Sequence, residues 1–247
     1  MVAAPAIAEP CCRALLLGAI AEPLCLNHAM PDILVIAAHP QLAQSRVTRR
    51  LIAAAAKAAP GTPGRVVVHE LYARYPDYFI DVPAEQAALQ AAQLVVWLHP
   101  VHWYGMPPLM KLWLDEVFTF GWAYGPGGQA LRGKDLWLVA STGGTADSYR
   151  PDGHNRYFFD AFLHPYEQTA ALCGLRWLPP LVLHGAHRSE EATLQAHAAV
   201  FTQRLQSHPD WPEIAAVAPA PPCEVPADER PVGADLGAAG TGSTAGS

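Results

Sequence analysis

The apolar residues of this chain gather in short unbroken runs separated by longer mixed stretches. The runs are Ile33–Ala38 (ILVIAA), Arg65–Leu71 (RVVVHEL), Leu94–His99 (LVVWLH), Leu136–Ser141 (LWLVAS) and a last one near Trp177–Leu183. Apolarity that is continuous rather than alternating predicts strands covered on both faces. The mixed stretches predict helices. Ser45 to Ala59 has Ser45 as candidate N-cap and Pro60-Gly61 as its stop, and Pro83 to Ala92 opens on a proline. Further helices are expected over Pro107 to Phe118, about Asn155 to Cys173, and Ser189 to Gln206. Five strands alternating with helices imply an α/β three-layer sandwich, a parallel sheet with helices on both faces. Right-handed crossovers leave few topologies, and five strands suit the order 2-1-3-4-5.

The pattern fades at both ends. Residues 1–30 carry no sustained period and predict a poorly structured extension, with Met30 as an alternative start two residues before the first strand. A signal peptide would use Arg13 and the run Leu15 to Ile20, but the basic flank is one residue deep and no small-x-small site clearly follows. From His208 to Ser247 the chain is rich in Pro, Ala, Gly and Ser, which bury too little surface to offset ordering entropy, so a disordered tail is expected there. One folded domain over 31–207 remains.

Composition narrows the function. The chain has 247 residues and a formal net charge of −6, without the basic stripe of a nucleic-acid binder. Ala14 to Leu26 is too short, and too interrupted by Glu22 and Pro23, to span a bilayer, which takes about 20 apolar residues. Cys11, Cys12, Cys25, Cys173 and Cys223 are odd in number and form no CxxC pair, so a reducing cytoplasm is the expected compartment and no metal site is expected. His184 and His187 stand three apart, but no third ligand is near, and a solvated loop is the expected setting.

In such a sheet, ligands bind beyond the carboxyl ends of the strands. After the first strand, His39 to Thr48 (HPQLAQSRVT) lacks a dinucleotide or P-loop glycine pattern but brings an imidazole, the hydroxyls of Ser45 and Thr48, Arg46, and the N–H groups of a helix start. That set suits a phosphate, although any capped helix would share much of it. After the third strand, His99 to Pro108 (HPVHWYGMPP) sets Trp103 and Tyr104 in a stiff loop that suits a planar ligand or an interface. After the fourth, Ser141, Thr142, Gly143 and Gly144 let the backbone approach a ligand closely. A phosphate on a flat conjugated ring uses all three loops, and flavin mononucleotide (FMN) is the obvious member of that class. By contrast, the loose GxGxxA match at Gly125, Gly127 and Ala130 follows no strand and is set aside.

AHPQLAQSRV, the block WLHPVHWYGMPPLMKLWLDEVFTFGWAYGPGGQALRGK, and STGGTADSY together resemble the flavodoxin-like NAD(P)H:quinone oxidoreductases, over roughly Asp32 to Gln206. The resemblance implies a flavodoxin-like fold with FMN, less readily FAD, as cofactor, NAD(P)H as co-substrate, and two-electron, ping-pong reduction of quinones. It puts His39 and Ser45, Arg46, Val47 and Thr48 on the phosphate, and Val101, His102, Trp103 and Tyr104 against the ring system. Ser141 to Gly144 fall on the other ring edge, with Tyr149 on the substrate side. The chain departs from the family at Thr48, where asparagine is frequent, and at Asn155, where the paired histidine would stand, leaving His154 as the neighbouring candidate. A homodimer is also implied, and the cluster Trp113, Phe118, Phe120, Trp122 and Tyr124 predicts one independently. Some relatives of this type are ancillary to potassium efflux systems. That implies a second reading, a regulatory subunit at the cytoplasmic face of the inner membrane with an efflux transporter as partner.

Overall fold

The computed structural model describes residues 32–58 and 65–216. Five strands, β1 (Ile33–Ala37), β2 (Val66–Glu70), β3 (Leu94–Pro100), β4 (Asp135–Ser141) and β5 (Arg176–Leu183), form one sheet in the order β2-β1-β3-β4-β5. Every neighbouring pair is parallel. Helices α1 (Thr48–Ala55), α2 (Leu71–Arg74), α3 (Val82–Ala91), α4 (Pro108–Val117), α5 (His164–Leu172), α6 (Glu191–Ser207) and α7 (Pro212–Ala216) complete the layers.

Each strand feeds two cores, because successive side chains point to opposite faces. Ile33, Val35 and Ala37 of β1 pack with Leu51 of α1 and with Leu194 and Phe201 of α6. Leu34 and Ile36 pack on the other side with Leu89 of α3 and with Leu109 and Trp113 of α4. This two-sided burial is what makes the strand sequences continuously apolar.

Four expectations change. α1 begins at Thr48 rather than at Ser45. Ser45 is extended (φ −70°, ψ 125°), and its Oγ accepts the Thr48 N–H at 2.9 Å, so it caps from three residues back. The helix expected from Asn155 breaks into a 3-10 turn at Phe159–Phe162 and α5. Pro165 lies in the first turn of α5, where its missing N–H costs nothing. Most of the aromatic cluster argued for an interface is internal: Trp113 and Phe118 are buried, and Trp122 and Tyr124 pack against the same core, while Phe120 is half-buried and edge-on to Tyr124. Among the described residues the exposed aromatics are instead Tyr78, Phe79, Trp103, Tyr104, Tyr157 and Phe158.

The fourth change is at the end of the domain. His208 and Trp211, expected in the tail, are buried. His208 Nε2 meets Asp135 Oδ2 at 2.8 Å, and Trp211 packs edge-on against Trp137, with ring centroids 4.9 Å apart. The folded chain therefore runs through α7, beyond the boundary expected at 207. The extension over 1–30 and the tail beyond 216 lie outside the described residues. Among the described residues, no helix is long and apolar enough to cross a membrane.

Candidate functional site

The carboxyl ends of β1, β3 and β4 open into a cavity of about 510 Å³, within the range of roughly 300–1,000 Å³ usual for cofactor sites. The loop after β1 contributes His39, Ser45, Arg46 and Val47, the loop after β3 contributes Val101 and His102, and the end of β4 contributes Ser141, Thr142 and Gly143. Among the described residues no carboxylate lines it, in a chain of net charge −6. His39 Nδ1 accepts the Gln41 N–H at 3.1 Å, which leaves Nε2 to carry any ring proton. Burial, then the neighbouring His102, lowers the His39 pKa, so the ring is neutral near pH 7 and donates from Nε2.

Arg46 and Thr48 sit differently from expectation. Arg46 lines the cavity, yet its guanidinium donates to the carbonyls of His187 at 3.1 Å and Ser189 at 2.9 Å. It clamps the β5–α6 loop. Thr48 is buried, its Oγ1 has no hydrogen-bond partner among the described residues, and it lines neither cavity described here.

After β3 the chain reverses over four residues. His102 and Gly105 exchange backbone hydrogen bonds, both at 3.0 Å, and Trp103 (φ 48°) and Tyr104 (φ 64°) occupy the centre of the turn. Positive φ at both central residues is the type I′ pattern, which favours Asn and Gly and strains bulky side chains. Trp103 gains no packing in return, since it is 96% exposed. Tyr104 is held by stacking on Phe162 (centroids 5.0 Å) and by donating to Asn155 Oδ1 at 3.3 Å.

A second cavity of about 410 Å³ adjoins the first, sharing Val101 and Gly143. Trp103, Tyr104, Gly144, Tyr149 and His154 line it, as do Ser148, Asn155 and Arg188. Again no carboxylate is present. Gly144 is needed here, because a Cβ on it would lie 2.6 Å from Ser148 Oγ. Tyr149 is buried among Phe159, Phe162 and His184, and that burial raises its pKa above 10. Its phenol therefore stays protonated and able to donate across the physiological range.

His184 supports this wall. Thr142 Oγ1 donates to the Gly144 carbonyl at 2.7 Å, so its 3.0 Å contact with His184 Nδ1 requires Nδ1–H as donor. The histidine pair treated as a solvated loop is thus part of the site: His184 braces the glycine loop, and His187 lines the first cavity. The β5–α6 loop, with Ala186, His187 and Arg188, was the contribution that sequence reasoning missed. The available signal was positional, since this loop also leaves the carboxyl end of a strand.

Residues 31–205 match Flavodoxin_2, a family with a flavodoxin-like fold. The chain is 44% identical over 182 residues to the glutathione-regulated potassium-efflux system ancillary protein KefF of Salmonella newport, covering 74% of this chain and 98% of that protein. Among solved structures, it resembles the general stress protein 14 of Treponema denticola, crystallised in complex with FMN. That match has a TM-score of 0.65 and 39% identity, over 72% of this chain and 99% of the other. An NADPH-quinone reductase from P. pentosaceus matches with a TM-score of 0.62 and 28% identity, over 70% and 96% of the two chains.

Proposed function

The chain belongs to the flavodoxin-like Flavodoxin_2 family, and from that premise we propose that it is an FMN-dependent NAD(P)H:quinone oxidoreductase. The observation that carries the reading is the pair of adjoining cavities, free of carboxylates, at the carboxyl ends of β1, β3 and β4. The first cavity suits a phosphate-bearing planar cofactor. Ser45, Arg46 and Val47 line it just ahead of the amino end of α1, whose dipole favours an anion, and His39 and His102 add ring N–H groups. Val101 to Tyr104 would flank the ring on one side and Ser141 to Gly144 on the other. A Cβ on Gly143 would meet only the His187 ring, at 3.5 Å, so no protein neighbour demands glycine there. Close approach of a ligand explains it better. The relatives add support, one bound to FMN and one described as an NADPH-quinone reductase.

FMN held there would supply two-electron redox chemistry between NAD(P)H and a quinone, a chemistry that belongs to the cofactor. The protein supplies position and protons. Backbone N–H groups at Gly143 and Gly144 would stabilise negative charge developing on the ring edge. Tyr149 would donate its phenolic proton to a quinone oxygen gaining charge, and His154, which also lines the second cavity, is the neighbouring candidate donor. Trp103, largely exposed, would close over a bound ring or meet a second copy of the chain; a homodimer is expected, and light scattering at micromolar concentration checks it.

The test is the visible spectrum of the purified protein together with NAD(P)H oxidation in the presence of a simple quinone. A yellow protein releasing FMN rather than FAD on chromatography, and turning over quinone faster than free FMN, supports the reading. A protein that stays colourless after soaking in both flavins ends it. The likeness to KefF favours a second role at the cytoplasmic face of the membrane, as ancillary subunit of a potassium efflux transporter. Flavin binding without quinone turnover, together with co-purification with such a transporter, would favour that role alone.

A further inference from the structure

Among the described residues, the lining of the second cavity includes one strongly basic side chain, Arg188, and no acidic one. The acids nearest in sequence to its lining residues are Asp147 and Asp152, which face Arg150 (4.0 and 3.5 Å), and Glu190, the exposed N-cap residue of α6; none of them lines the cavity. Arg188 makes one recorded bond, from its backbone N–H to the Gly185 carbonyl, and its guanidinium has no hydrogen-bond or ion-pair partner among the described residues.

The backbone beneath that guanidinium is fixed. Arg46 grips the carbonyls of His187 and Ser189, on either side of Arg188. Gly185 and Ala186 donate to the carbonyls of Gly144 and Thr142, tying the loop to the glycine turn of β4. Ser189 closes it further through N–H and Oγ bonds to the Gly185 carbonyl, both at 3.1 Å. One arginine is thus spent on orienting another. His187 is directed to the first cavity and Arg188 to the second. Arg188 is exposed, and the fixed main chain beneath its unpartnered guanidinium limits where that fork can reach for an oxyanion.

We propose that Arg188 is the specificity-determining residue of the second cavity and recognises an oxyanion carried by the small molecule that binds there, with Arg46 as its positioning residue. The inference rests on the proposed oxidoreductase reading for the identity of that molecule. The oxyanion would be a phosphate of the pyridine dinucleotide or an acidic substituent of the acceptor, because the same fork geometry serves both. Neutral acceptors would bind without it.

Titration calorimetry tests this on the full chain, as purified and after FMN addition, with NADP+, NAD+ and anthraquinone-2-sulfonate as probes. Wild type, Arg188→Gln and Arg188→Lys are compared, and KM and kcat are measured with menadione as a neutral acceptor. Arg188→Gln is expected to weaken an anionic probe at least five-fold and to lower the salt dependence of its binding. Arg188→Lys should recover most of the loss, while flavin content holds in both variants. Loss confined to NADP+ identifies the ribose phosphate, loss on both nucleotides the pyrophosphate, and loss on the sulfonate alone the acceptor. Unchanged affinity for every probe in Arg188→Gln overturns the inference, as does a wild type that binds none of them. Arg188-dependent binding without turnover would instead sink the oxidoreductase reading and leave the anion site standing.

Discussion

Tyr149 carries the sharpest expectation at the scale of single residues. Its ring is packed among Phe159, Phe162 and His184, and it lines the second cavity. Tyr149→Phe keeps that packing and removes only the hydroxyl. Loss of one hydrogen bond to a developing charge should slow the quinone half-reaction by about ten- to a hundred-fold, on the order of 1.5–3 kcal/mol. Flavin content should be unchanged. Stopped-flow kinetics separates the half-reactions, and an unaltered quinone step would remove Tyr149 from the chemistry. His99 bears on stability instead. It is buried at the end of β3, stacked on Tyr166, with Nδ1 2.9 Å from the Pro100 carbonyl and Nε2 unpartnered. Burial lowers its pKa to about 4 from the ordinary 6.5. Between those values the unfolded chain takes up a proton that the native state refuses. Stability from this group is complete above pH 6.5 and falls toward pH 4, by up to about 3 kcal/mol. Urea unfolding of His99→Phe across that interval should show a pH slope smaller by one proton, and an unchanged slope would refute the assignment.

At the scale of elements, the turn between β3 and α4 shows strain that the fold does not repay. Trp103 sits at φ 48° with nearly its whole side chain in solvent. Left-handed backbone at a bulky residue costs on the order of 1 kcal/mol or more. Trp103→Asn should therefore raise the unfolding free energy by about 1 kcal/mol while weakening flavin retention or quinone turnover. A variant neither more stable nor less active would show that the turn is neither strained nor functional. The same turn marks where sequence reading stops. Its aromatic pair beside glycine was legible as a stiff loop, because composition sets stiffness. Its positive φ angles were not, since Trp and Tyr disfavour them and the hairpin bonds of His102 and Gly105 impose them. The strands were legible because two-sided burial leaves continuous apolar runs. The start of α1 was misplaced because a serine oxygen caps equally well from an extended residue upstream. Arg46 looked like a phosphate ligand, and its real partners are main-chain carbonyls 141 and 143 residues away, which local pattern does not encode.

Across the whole molecule the two edges of the sheet do different work. The carboxyl edge holds the cavities, with strained turns and unpartnered polar groups. The amino edge is a closed polar lock. Asp135, first in β4, takes both prongs of Arg176, first in β5, at 2.6 and 2.9 Å, and the ring of His208 at 2.8 Å. Burial raises the Asp135 carboxyl, but the bonds from His208 and Arg176 outweigh it and hold the group below the usual carboxylate range. Arg65 completes the lock by donating to the His208 carbonyl at 2.8 Å. Trp211 then seals the segment, packed on Trp137, with the Arg204 guanidinium 4.9 Å from its ring centroid and its Nε1 donating to the Arg204 carbonyl at 2.9 Å. His208 and Trp211 lie beyond the boundary that composition suggested, because a Pro- and Ala-rich stretch hides one histidine and one tryptophan able to dock. Trp211→Ala should cost about 3 kcal/mol of stability, as large aromatic truncations in cores do. The cavities are at the opposite edge, so kcat and KM well below the melting transition should match those of the wild type. Chemical denaturation paired with kinetics at low temperature checks both halves. A variant of undiminished stability would return the domain boundary to residue 207. Lost activity in a still-folded variant would mean that the two edges are coupled through β4 and β5.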